Sequence, residues 1–135
     1  MNYFRRSDLA TEMLPGRAIQ KAIGKDAYSK SGKITMGFAR YSADSGPMEP
    51  HTHAEEVVYI TAADRGWIRY GPAKDQLGEP IPLEAGMVLH NPPLEWHAFG
   101  YAEGGCVEII FIYGQVDQIR PEEMTDRQSP RALRG

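Results

Sequence analysis

Histidine is the side chain in this sequence whose spacing most invites chemistry. All four histidines, His51, His53, His90 and His97, fall in the middle third of the 135 residues. His51 and His53 stand two apart. In an extended chain such residues point to one face, so both imidazoles can reach a single ion. Glu55 and Glu56 follow at once, and a carboxylate beside imidazoles makes a nitrogen–oxygen donor set that suits iron, manganese, nickel or zinc. A further histidine must come from elsewhere in the fold. His97 follows the stiff segment NPPLEW, which fixes the direction of the side chain after it. Such a set leaves open positions on a five- or six-coordinate ion, where a metal polarises a substrate oxygen or activates a small ligand.

Composition excludes several other chemistries. Cys106 is the single cysteine, so an internal disulfide and a thiolate metal cluster are both ruled out, and a reducing cytoplasm is expected. The net charge of −3 provides no basic field for nucleic acid or an anionic membrane. No apolar run approaches the roughly 18 residues of a membrane-spanning helix. The stretch MNYFRRSDLATEM has no apolar core of the signal-peptide kind. The expected partner is a small molecule.

The elements that must position these histidines read as short strands. Fourteen glycines and ten prolines punctuate the chain. Segment 17–23 is ambiguous between a strand and a helical turn. Residues 34–41 (ITMGFARY) and 57–61 (VVYIT) read as strands, and 66–70 (GWIRY) as the hairpin partner of the latter. A short strand over 87–90 stops at Pro92-Pro93. Residues 106–113 (CVEIIFIY) form the most continuous apolar run and read as a buried strand. The chain turns polar after Gln118, predicting a short helix and a solvated tail that carries Arg127, Arg131 and Arg134. Short strands with almost no helical periodicity predict an all-β sandwich or barrel, because one sheet of this size cannot bury a core alone.

Two segments, in order, carry a family resemblance. GPMEPHTHAEEVVYI resembles the first cupin motif, a glycine followed by H-x-H and a glutamate. GMVLHNPPLEWH resembles the second, with Gly86, Pro92 and His97 at the glycine, proline and histidine positions. Ala63, Leu94 and Tyr101 stand where the motifs have glycine, glycine and asparagine. The chain is thereby identified as similar to small single-domain cupins. The resemblance implies a double-stranded β-helix, or jelly-roll, over residues 34–118, between an extension with the first strands (1–33) and a helix and tail (119–135). It also implies a homodimer and one divalent transition metal held by His51, His53, Glu56 and His97. Strand parity instead favours Glu55, which shares a face with the two paired histidines, so Glu55 stays in reserve.

For proton transfer the sequence offers Tyr41, Tyr59, Glu55 and Glu108. Glu108 is the odd carboxylate within an apolar strand, costly unless paired or facing a wet cavity. Tyr41, Tyr59, Trp67, Trp96 and Phe111 are candidates to line a barrel interior, and Arg40 and Arg69 to anchor a substrate carboxylate. His90 reads as a structural histidine with a hydrogen-bond partner. The leading expectation is a metal-dependent lyase or isomerase acting on a carboxylate or sugar-derived acid. An iron(II) dioxygenase and a non-catalytic small-molecule-binding cupin are the alternatives.

Overall fold

The computed structural model describes residues 1–123. The chain forms strands β1 (Glu12–Leu14), β2 (Arg17–Gly24), β3 (Ser29–Lys30), β4 (Thr35–Ser42), β5 (Glu56–Gly71), β6 (Ile81–Pro82), β7 (Val88–Asn91) and β8 (Trp96–Tyr113). They run in the order β1-β2-β4-β8-β5-β6, with β3 beside β2 and β7 beside β5. The architecture is the expected all-β jelly roll. The ambiguous segment at 17–23 is strand β2, antiparallel to β4, with a register shift between Lys21 and Ile23.

Two long strands organise the molecule. β5 and β8 pair antiparallel from Glu56↔Tyr113 to Gly71↔Trp96, with register shifts at Ile60/Ala62 and Asp64/Gly66. This corrects one expectation: GWIRY is not the hairpin partner of VVYIT. Both lie in β5 and face successive parts of β8, because the intervening TAADR continues the strand through bulges instead of turning back. β6 and β7 fold back onto β5 from the connection between the two long strands.

A second expectation also changes. The run CVEIIFIY is buried on one face only. Val107, Ile109, Phe111 and Tyr113 are core residues, whereas Ile112 on the other face is 40% exposed. The core gathers those four with Ile19, Ala39, Tyr41, Val58, Ile60, Ile68, Leu83, Phe99 and Ile119. Gly37 shows how tightly β4 fits between its neighbours β2 and β8, since a Cβ there would overlap the Gln20 carbonyl and the Phe111 ring. In the carboxy-terminal region, a 3-10 turn spans Pro121–Glu123. The remainder of the predicted helix and tail, including Arg127, Arg131 and Arg134, lies outside the described residues.

Candidate metal centre

Three of the four histidines meet inside the barrel. His51 lies just ahead of β5 in the chain and forms an isolated antiparallel bridge with His97, the second residue of β8. Its amide donates to the His97 carbonyl at 3.1 Å, and the His97 amide donates back at 3.0 Å. His53 is tied to the turn before β8, where the Leu94 amide donates to its carbonyl at 2.9 Å. Leu94 occupies the glycine position of the second motif and keeps a left-handed φ of 63°. The ring centroids of His97 lie 4.6 Å from those of both His51 and His53.

Hydrogen bonds select one tautomer at all three rings. Nδ1 of His51 lies 3.0 Å from the Glu49 carbonyl, Nδ1 of His53 2.7 Å from the Ala54 carbonyl, and Nδ1 of His97 3.1 Å from the Glu95 carbonyl. A carbonyl only accepts, so each Nδ1 must carry the proton and each Nε2 presents a lone pair. Burial disfavours the imidazolium and pushes His51 and His53 down to about 4 and His97 to about 3. At neutral pH all three imidazoles are neutral. One nitrogen from each ring lies within 4.8 Å of the others, so small side-chain rotations bring them into the ~2.1 Å reach of one transition metal.

The fourth donor at hand is Glu56. Its Oε1 lies 3.4 Å from Nε2 of His53 and accepts from the Asn91 amide group at 2.9 Å. The Tyr113 hydroxyl also donates to this carboxylate. Burial raises the Glu56 pKa, and these two hydrogen bonds act against it. Glu55 points outward and pairs with His90 at 2.7 Å, both side chains exposed. Strand parity misled here because β5 begins only at Glu56, and the irregular backbone over residues 52–55 breaks the alternation.

The structure therefore brings some sequence candidates together and disperses others. Tyr41 lines the cavity with His51, His53, Glu56, His97, Phe111 and Tyr113. Tyr59, by contrast, is 44% exposed on the outer face of β5. Glu108 is also on an outer face, paired with Arg40 at 3.1 Å and Arg6 at 3.4 Å, which is how the odd carboxylate is satisfied. Of the proposed carboxylate anchors, Arg40 is spent on Glu108, and Arg69 donates to the carbonyls of Gly78 and Leu77. Trp67 faces away from the core, across Gly100. Sequence reasoning missed Tyr113, Asn91, Arg17 and Arg120. Tyr113 was recoverable, since it ends the β8 alternation that starts at Val107, but Arg17 carries no local signal.

The free space among these side chains is about 20 Å³, room for little more than one water. Among the described residues, no helix is long and apolar enough to cross a membrane.

Comparison with known proteins bears on the fold. No protein-family model matches the chain, and no curated protein sequence does. The polyketide cyclase RemF from Streptomyces resistomycificus is similar at 17% identity and a TM-score of 0.68, over 98% of this chain and 96% of its own. A protein from Planctomyces limnophilus is similar at 17% identity and a TM-score of 0.67, over 91% of this chain and 94% of its own. The Lactobacillus farciminis oxalate decarboxylase, solved as a formate complex, is similar at 16% identity and a TM-score of 0.64, over 86% of this chain and 34% of its own. The fold is that of the cupin barrel.

Proposed function

We propose that this chain is a metal-dependent enzyme that carries out lyase- or isomerase-type proton transfer on a small oxygenated metabolite, a carboxylate or sugar-derived acid. His51, His53, His97 and Glu56 would hold one divalent transition metal of the iron, manganese, nickel or zinc group. The observation that carries the reading is the commitment of all three Nδ1 atoms to backbone carbonyls, which leaves three Nε2 lone pairs unspent in a buried cavity. The similar proteins lend support, since one is named as a polyketide cyclase and another as an oxalate decarboxylase.

The bound metal would supply a Lewis acid for a substrate oxygen. The chain's own groups do the rest. Asn91 and Tyr113 orient the Glu56 carboxylate, and the Nδ1 hydrogen bonds orient the rings. Tyr41 Oη is the hydrogen-bond donor we assign to a developing anion. Burial raises the pKa of this phenol well above the ordinary value, so it keeps its proton and stabilises the anion by hydrogen bonding. The small free volume limits the substrate to a compact molecule.

Elemental analysis of purified protein tests the reading. Near-stoichiometric metal in the wild type, lost in both His51→Ala and His97→Ala, is the expected result, and full occupancy in both variants overturns it. Anaerobic assay then separates the reaction classes, because a lyase or isomerase keeps turning over without oxygen and an iron(II) dioxygenase stops. Ligand affinity without any product would mark a binding module. A homodimer belongs to the same proposal, supported by the exposed side chains of Val57, Tyr59, Val88 and Ile112, which lie together on one outer sheet face.

A further inference from the structure

A buried guanidinium shares the cavity with the imidazoles and is not needed to hold a metal. Arg17 is the first residue of β2, its side chain only 9% exposed, and it lines the same space as His51, His97, Tyr41 and Arg120. Nη1 donates to the Pro15 carbonyl at 3.1 Å, which fixes the plane of the fork. The open side of the fork is filled by a carboxylate. Glu122 accepts from Nη1 at 2.5 Å and from Nη2 at 2.7 Å, the parallel two-point geometry that arginine offers to any carboxylate.

The two partners are held very unequally. Arg17 sits in a strand paired on both sides, with β1 and with β4. The Glu122 side chain is 36% exposed and belongs to a three-residue 3-10 turn. Behind that turn the segment is attached by the buried Ile119 side chain and a 3.4 Å hydrogen bond from the Ala54 amide to the Ile119 carbonyl. Arg120 is also paired, through a single contact of Nη1 with Glu123 at 2.9 Å. Both arginines at the cavity are thus neutralised by carboxylates of one short segment.

Charge and space point the same way. A divalent ion on three neutral imidazoles and Glu56 leaves a positive excess, to which Arg17 adds its own charge once Glu122 leaves. A buried guanidinium stripped of its partner is strongly destabilising, so Glu122 leaves only if another anion takes its place. With about 20 Å³ free, a substrate enters only by displacing something. Glu122 is the group whose departure frees the Arg17 fork, a receptor shaped for a carboxylate at the wall of the cavity.

We propose that Arg17 is the anion-recognition residue of this site, that it takes the carboxylate of a small substrate, and that Glu122 fills its fork in this structure as an internal carboxylate which the substrate displaces. This rests on the proposed metal site for the reacting end of the substrate, but the receptor itself is defined by Arg17 alone.

Calorimetric titration with malonate, using malonamide as the uncharged control, tests the proposal. It is run on metal-loaded protein and repeated after chelator treatment, with metal content measured separately. Glu122→Gln should bind malonate at least ~10-fold more tightly than the wild type, because the competing carboxylate is gone. Arg17→Met should weaken binding at least ~10-fold, and Arg17→Lys should recover part of it, a point charge replacing a fork. Arg17→Lys also serves if Arg17→Met does not fold, as judged by circular dichroism. Malonate affinity unchanged by Glu122→Gln, retained in full by the Arg17 variants, or undetectable in Glu122→Gln overturns the proposal. Arg17-dependent binding to protein that holds no metal would uphold it while the metal reading failed.

Discussion

His51 and His97 exchange two backbone hydrogen bonds, of 3.1 and 3.0 Å, across an isolated antiparallel bridge. The pairing puts their imidazoles side by side, with ring centroids 4.6 Å apart. Residues 46 apart in the chain are thereby held as neighbours by main-chain geometry, before any ion contributes. A site preorganised in this way spends little ligand entropy on binding, and its weak points are the groups that orient the donors.

The carboxylate donor follows from which glutamate faces inward. Glu56→Gln is expected to lower metal affinity by at least ~10-fold, and Glu55→Gln to leave it unchanged apart from loosening the exposed His90 pair. Asn91→Ala, which removes the 2.9 Å hydrogen bond to Glu56, should cost ~10–100-fold. Competition with a chelator of known affinity measures all three. Loss in Glu55→Gln alone would reverse the assignment.

Acid should destabilise the metal-free protein earlier than its carboxylates alone would require. Burial holds His51, His53 and His97 at about 4, 4 and 3, below the ordinary value of 6.5. Between pH 6.5 and 4 the unfolded chain takes up protons at these rings that the native state refuses. The unfolded state binds more protons there, so stability falls as pH falls through that window, by up to about 1.4 kcal/mol per pH unit for each proton. The contribution is complete above pH 7 and levels off below pH 3. Urea unfolding at stepped pH reads the slope, which should be shallower in His53→Gln.

Leu94 pays for the turn between His53 and His97 with a left-handed backbone, φ 63°, that a side chain disfavours. Leu94→Gly should relieve this and raise stability by about 0.5–1 kcal/mol, net of the extra entropy glycine gives the unfolded chain. The urea midpoint should rise with the m value unchanged. A lower midpoint would mean that the partly buried leucyl side chain contributes more than the strain costs.

Gly37 lies where β2 and β4 approach beneath the Phe111 ring that lines the cavity. Gly37→Ala places a methyl group against the Gln20 carbonyl and that ring, so a loss of about 1–3 kcal/mol is expected in thermal or chemical unfolding. Gly46→Ala is the contrast, since a Cβ there meets no neighbouring atom and only the φ of 79° opposes it.

Tyr59 and Val88 are directly opposite on the outer face, 44% and 67% exposed. Tyr59→Lys should shift a dimer toward monomer in sedimentation equilibrium while leaving metal content unchanged. A wild type that sediments as a monomer at all concentrations would remove the dimer from the proposal.

The amino-acid sequence by itself determined the class of fold and the neighbourhood of the site. Alternating strands in a short chain must close on one another to bury a core, and the H-x-H pair and the turn before His97 are local features that do not depend on distant contacts. What only tertiary structure decided is which side of each strand faces inward and which distant residues arrive there. Alternation assigns Tyr59 and Glu108 to one face of a strand or the other, but the face that becomes the interior depends on how β5 and β8 bend together. Backbone irregularity over residues 52–55 reversed the parity that favoured Glu55. Arg17 and Glu122, 105 residues apart, become partners only when the end of the described chain reaches the start of β2. No window of sequence holds both, so nothing local in either residue signals the pairing.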